Sequence, residues 1–279
     1  MKLLNPCTLL AAACCWSDVT RAQLQLLPDV QPQRVFAGGA RTVAATWRNA
    51  GDSNVEIDIR TRLIQTSSAT AVPLGEVPWR KLEVLPRQTV LENVQLSVPA
   101  VKAETTFLIH WLDATNQVLG RTKVLAYPTN LLAELKPLAG DEPLGVFDPQ
   151  NQLKPLLKNL KLEFAELENL DLEDFSGRLA IIGPFSTRAQ MRDGLANQIK
   201  TLAKKGVAIV WLQPPPEKRD KLQPSFYSVS MNPNAVVIVQ PELVADFADN
   251  PQSQLNLLYF CRLALHPQPP ALPEFSPQQ

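Results

Sequence analysis

The chain has 279 residues, is 45% apolar and has no formal net charge. That length is a prior for two domains, and that apolar fraction excludes global disorder. The balanced charge excludes the basic face that a nucleic-acid surface needs, and 25 prolines against 11 glycines point to stiff connections rather than flexible linkers.

Residues 1–22 read as a signal peptide. Met1-Lys2 is a short basic start, Leu3 to Trp16 is mostly apolar, and Thr20-Arg21-Ala22 ends in a small residue suited to cleavage before Gln23. Export to the periplasm or the extracellular space is therefore expected. Ala11-Ala12-Ala13-Cys14 has a weak likeness to a lipobox, which would make Cys14 a lipid anchor, although the usual Leu three places before the Cys is missing. No segment approaches the 18 unbroken apolar residues of a membrane span. Cys7, Cys14 and Cys15 lie in the signal segment. Cys261 alone remains after cleavage, so no intrachain disulfide is expected, and its apolar surroundings read as core.

Residues 23–128 are predicted as antiparallel strands. Val43, Ala45 and Trp47 alternate with Thr42, Thr46 and Arg48; Val55, Ile57 and Ile59 alternate with Glu56, Asp58 and Arg60; Phe107, Ile109 and Trp111 share one parity. Turn chemistry separates them at Gly38-Gly39, Asn49–Asp52 and Asp113–Asn116. Short strands at this spacing indicate an all-β immunoglobulin-like sandwich. Trp47 and Trp111 fit the inward parity. Trp79 follows Pro78, so its segment reads as an edge or loop, and Trp79 is expected at the surface.

Residues 129–142 are predicted as a connector with a short helical turn. From Leu144 the period changes. Apolar strands are expected at Leu144–Phe147, Leu162–Phe164, Arg178–Gly183, Val207–Leu212 and Ala235–Val239. Helices are expected over 151–160, from Thr187 to Lys205 and from Leu255 to Leu265. The pattern predicts a three-layer, flavodoxin-like or amidotransferase-like α/β domain over 143–266, with a mostly parallel sheet. Residues 267–279 hold five prolines and read as a loose tail.

In an open parallel sheet, ligands bind beyond the carboxyl ends of the strands. Asp148, Gly183, Ser186, Thr187, Gln213 and Gln240 occupy those ends and are the expected ligand-binding residues. Ser186 and Thr187 also read as helix caps. Substitution of Asp148 or Gln213 is expected to leave folding nearly intact. Glu163, Glu166, Glu168, Asp171, Glu173 and Asp174 read as a solvated face. Neither a Gly-rich phosphate loop nor a zinc-type His/Cys cluster is present in the sequence, and no metal or cofactor is expected.

The phrases Val146-Phe147-Asp148-Pro149-Gln150-Asn151, Ala180-Ile181-Ile182-Gly183 and Val207-Ala208-Ile209-Val210-Trp211-Leu212-Gln213 resemble the class I glutamine amidotransferase-like fold. More narrowly, they resemble the module that follows an immunoglobulin-like domain in some bacterial proteins related to family 2 glycoside hydrolases. Active members of that fold place a Cys on a Gly-x-Cys-x-Gly elbow after the strand that corresponds to 207–212. Here the slot reads Leu212-Gln213-Pro214-Pro215-Pro216, without Cys, Ser or Gly, and the two histidines of the chain, His110 and His266, are not placed to activate a nucleophile there. The resemblance thus implies a degenerate, non-catalytic domain. The expected function is exported binding or scaffolding, with a small molecule or an envelope protein as partner. Two alternatives stay open: a hydrolase-type enzyme with its site at the strand ends, and a structural subunit of an envelope complex.

Overall fold

The computed structural model describes residues 24–214, 224–231 and 233–267. The expected signal segment 1–22, the lipid-anchor position Cys14, Pro215-Pro216 and all but the first residue of the expected tail lie outside the described residues. The chain contains several β-sheets, both parallel and antiparallel, and a few helices. It divides into two units between Thr129 and Asn130.

The first unit consists of strands β1 (Leu24–Leu27), β2 (Gln33–Phe36), β3 (Gly39–Asn49), β4 (Val55–Thr66), β5 (Ala71–Val84), β6 (Thr89–Val98), β7 (Thr105–Leu112) and β8 (Val118–Tyr127). One sheet has the order β1-β3-β6 and the other β2-β8-β7-β4-β5. The inward residues of both, among them Val43, Ala45, Trp47, Ile59, Phe107, Ile109 and Trp111, form one core. Trp47 and Trp111 meet edge to face at 5.7 Å, and the Trp111 indole N–H donates to Thr122 Oγ1 at 3.0 Å. The turn residues act as their chemistry suggests. Asn49 is buried and its amide donates to the carbonyls of Ser53 and Val84. Asp113 Oδ1 accepts the N–H groups of Thr115 and Gln117.

Trp79 departs from expectation. Its segment is the edge strand β5, paired on one side with β4. The prolines at 73 and 78 are tolerated because an edge strand can spare ladder donors. The ring nevertheless turns inward and lies 5.3 Å from Trp111.

The second unit begins with a 3-10 turn (Leu131–Glu134) that leads into α1 (Leu135–Ala139). This stretch was expected as a connector. Instead, Leu132, Leu135 and Ala139 are buried in the unit's own core, because Leu-x-x-Leu spacing gives even a short helix an apolar side. There follow β9 (Leu144–Phe147), α2 (Lys154–Asn159), β10 (Phe164–Glu166), β11 (Leu179–Ile182), α3 (Leu195–Lys204), β12 (Ala208–Leu212), β13 (Phe226–Ser230), β14 (Ala235–Val239) and α4 (Pro251–Leu265). The sheet order is β10-β9-β11-β12-β14-β13, parallel except for the antiparallel edge β13. Two cores flank this sheet. Val146, Ile181, Val210, Leu212, Val237 and Val239 pack with α4, whereas Ile182, Ile209 and Ile238 share a cluster with α3. Burial on both faces is why these strands are apolar throughout.

The helix expected from Thr187 to Lys205 is broken. Arg188–Gln190 forms a 3-10 turn, Met191 is extended, and α3 starts only after Gly194, whose φ is +75°. Asp193-Gly194 is a turn pair, and the left-handed glycine interrupts the helical run. Strand β13 was not expected at all.

Candidate functional site

The parallel strands bring the six expected residues to one edge of the second unit's sheet, where β9, β11, β12 and β14 all end. Gly183 donates its N–H to Phe147 O at 2.7 Å, joining the ends of β9 and β11. Its φ is +99°, and a Cβ there would lie 2.5 Å from Leu212 O, so the position requires glycine. Ser186 Oγ donates to Gln150 Oε1 at 2.8 Å. The Ser186 and Thr187 N–H groups both donate to Gln190 Oε1, at 2.8 and 3.1 Å. The two hydroxyl residues thus belong to a local turn and precede a 3-10 segment rather than the expected long helix.

Asp148 is fully buried. Its Oδ2 accepts the N–H groups of Leu153 (2.7 Å) and Lys154 (3.0 Å) at the start of α2, and its own N–H donates to Glu168 Oε1. Lys154, also buried, lies 2.7 Å from Glu168 Oε1. Asp148 therefore anchors α2 to the sheet, which argues against the expectation that its substitution would leave folding nearly intact. A carboxylate that holds two backbone donors out of water cannot be removed without leaving them bare. Glu168 departs from the solvated reading of its acidic neighbours for the same reason: it is the counter-ion of a buried lysine.

Gln213 and Gln240 extend the ladder by one rung. Gln213 N–H donates to Val239 O and Gln240 N–H to Ser225 O, both at 2.9 Å. Gln213 is half-buried and Gln240 is buried. Among the described residues, eight side chains have a buried polar atom without a hydrogen-bond partner. Asp148 (Oδ1), Glu168 (Oε2), Trp211 (Nε1) and Gln240 (Oε1) are four of them, and all stand at the carboxyl ends of β9, β10, β12 and β14. Buried polar atoms are normally paired, and four of these eight lie at this one edge. Trp211, Glu168 and Lys154 escaped the sequence reading. Only Trp211 left a usable signal, since it shares strand parity with Gln213.

Two clefts open at the opposite edge. One of about 730 Å³ is lined by residues that include Asp141, Glu142, Glu173, Asp174, Arg178 and Lys205. The other, about 500 Å³, adjoins it at Ala139–Glu142. Their charges are mixed and line the amino ends of the strands, away from the expected residues. Cys261 lies fully buried in α4, and burial pushes its thiol far above the ordinary range. His110 sits in β7 of the first unit, where burial and the charges of Arg121 and Arg62 lower its pKa. His266 is exposed just beyond α4. Among the described residues, no three His, Cys, Asp or Glu side chains gather as a metal group, and no helix is long and apolar enough to cross a membrane.

No protein-family model matches the chain, and no curated protein matches it. Solved structures match weakly. An alkylpurine DNA glycosylase from Pseudomonas fluorescens, solved with DNA containing an abasic site analog, is 9% identical over 37% of this chain and 30% of its own, with a TM-score of 0.29. A β-glucosidase from Listeria innocua is 13% identical over 38% of this chain and 16% of its own, with a TM-score of 0.29. A Niemann-Pick type C2 protein from the Japanese carpenter ant is 11% identical over 34% of this chain and 78% of its own, with a TM-score of 0.27. The chain spans under a third of the length of the first two. Likeness of this degree assigns neither a fold family nor an activity.

Proposed function

We propose that this is an exported binding or scaffolding protein. In this reading the first unit is an immunoglobulin-like sandwich. The second is a three-layer α/β domain of the amidotransferase-like type that has lost its chemistry. Two features support the fold assignment. Both sheets of the first unit contribute to one core. In the second unit the parallel strands, numbered in chain order, lie in the order 2-1-3-4-5, which is the flavodoxin-like arrangement.

The observation that carries the functional reading is at the end of β12. The chain passes from Leu212 to Gln213, whose N–H is bonded to Val239 O, and then to buried Pro214, which has no N–H. A nucleophile elbow needs a Cys or Ser there, with free N–H groups to hold an oxyanion. The polar groups left at this edge suit reversible binding.

Two measurements test the proposal. Expression of the full chain followed by N-terminal sequencing of the exported product is expected to read from Gln23; a product that retains Met1–Ala22 inside the cell overturns export. Incubation with glutamine is expected to release no glutamate. Release that is abolished in Asp148→Asn would restore the enzyme reading.

A further inference from the structure

Independently of the strand-end edge, we infer that the cleft at the amino ends of β11 and β12 takes a small zwitterion of net positive charge, such as a basic amino acid or dipeptide.

The fold holds this cleft open. The Ala208 N–H donates to Arg178 O at 3.0 Å and fixes Arg178 where β11 and β12 begin side by side. Gly140 and Gly206 turn the chain out of α1 and α3 at φ +77° and +91°, and a Cβ on either would meet nothing within 4 Å. The volume between these elements, about 730 Å³, falls in the range of small-molecule sites.

Six charged residues line it: Asp141, Glu142, Glu173 and Asp174 against Arg178 and Lys205. Lys205 Nζ donates to Glu173 O and ties the end of α3 to the turn at 172–174. Among the described residues, none of the four carboxylates lies within 4.0 Å of either base, and the Arg178 side chain makes no hydrogen bond. Opposite charges elsewhere do close on each other, as in Lys154 with Glu168 at 2.7 Å and Arg87 with Asp52 at 2.8 Å. Here they share a cleft without closing it.

The chemistry selects the ligand class. Four acids against two bases draw a cation in and repel a lone anion. Arg178 has its fork of donors unused and matches a carboxylate bidentately, whereas an oligoamine would leave it facing like charge. A molecule with both an ammonium and a carboxylate meets both demands, and a basic side chain adds the second cation that the acidic excess favours. Each exposed pair contributes little alone, but a ligand that spans the cleft makes several at once and displaces the water between them. The adjoining cleft brings Lys136, Lys161 and Glu163, two bases to one acid, and adds no pull on a cation. An apolar ligand finds little purchase, since Phe175 and Val207 are each only 5% exposed.

Calorimetry on the full chain tests this, with L-arginine and lysylalanine as probes, and with spermidine and succinate as the cation-only and anion-only contrasts. At least one zwitterion is expected to bind, more tightly than either contrast and more weakly as salt is raised. Arg178→Gln and Asp174→Asn each remove one charge and should weaken that binding about threefold to tenfold. Neither side chain has a partner among the described residues, so both variants should melt like the parent, which separates loss of binding from loss of fold. Spermidine binding as tight as that of the zwitterions, and unchanged in Arg178→Gln, overturns the zwitterion class. Zwitterion binding that neither variant weakens overturns the location. Absence of binding by every probe overturns the inference and leaves the strand-end edge, export and turnover to their own tests.

Discussion

The two units solve the burial of β-strands in different ways, and the difference shows where function can reside. In the first unit each strand has one covered face, and its buried polar residues close turns or bridge neighbouring strands: Asn49 and Asp113 hold backbone groups, and Thr122 accepts from Trp111. In the second unit the central strands are covered on both faces, so polar groups collect where the strands end. Some of them, as with Asp148 Oδ2, bind backbone; others, as with Gln240 Oε1, bind nothing within the protein. A sheet sealed on both faces can meet a ligand at its ends or at an uncovered edge strand, whereas a sheet with one open face has no such constraint.

The sharpest way to break this comparison is to empty the first unit's core. Trp111→Ala removes a fully buried ring that contacts Trp47 and Trp79, and should destabilise the first unit by about 3–5 kcal/mol. Urea unfolding followed by circular dichroism should show an earlier transition for that unit; an unchanged midpoint would mean that the two sheets do not depend on their shared aromatic centre. Next comes Asp148→Ala, expected to cost about 1–3 kcal/mol in the second unit, because two N–H groups of α2 lose their acceptor. Hydrogen exchange at Leu153 and Lys154 should accelerate in this variant; protection equal to the parent would return Asp148 to the role of a dispensable ligand residue.

Gln213→Ala should move stability by no more than about 0.5 kcal/mol, since the bond it makes to the ladder is through its backbone. Thermal melting checks this, and a large loss would show that the Gln213 side chain is structural. A reagent contrast sharpens the same comparison: Cys261, with its thiol pushed far up by burial, should resist a thiol-specific reagent at pH 8 until the second unit is unfolded. Fast labelling of the native protein would mean that α4 does not seal its side of the sheet.

The smallest effect concerns His110. Its pKa is lowered from 6.5 in the folded chain, so below that value the unfolded state binds more protons. The contribution of His110 to stability is therefore complete above pH 6.5 and is lost as the pH falls below it. The side chain is half-buried, so solvent screening keeps the effect slight. A nuclear magnetic resonance titration should place its midpoint below 6.5; a midpoint above that value would reverse the sign.

How much of this was legible in the sequence follows from the range of each interaction. Period-two alternation at Val43–Trp47 and Phe107–Trp111 announced the half-buried strands, and the continuous apolar runs at Ala180–Ile182 and Ala208–Leu212 announced the doubly buried ones. Asn49 and Asp113 revealed their turns because they bind backbone two to four residues away. The chain order of the strand ends was also enough to nominate Asp148, Gly183, Gln213 and Gln240, since parallel strands end on one side. The sequence could not reveal that β13 would pair antiparallel at the sheet's edge, because Phe226–Ser230 is exposed on both sides and has no burial pattern to read. Nor could it show that Trp79 turns inward: the proline before it hides its parity.

What the amino-acid sequence by itself determined, then, is periodicity, turns and the order of the elements, all of which arise from contacts within a few residues. Tertiary structure decided which polar groups end buried with partners and which without. Lys154 is matched to Glu168 across the crossover from α2 to β10. Trp211 pairs with Ile238 only because β12 and β14 lie side by side, with 22 residues of chain between Leu212 and Ala235. Whether a buried polar atom finds a partner depends on what the fold places within about 3 Å of it, and no local pattern encodes that distance.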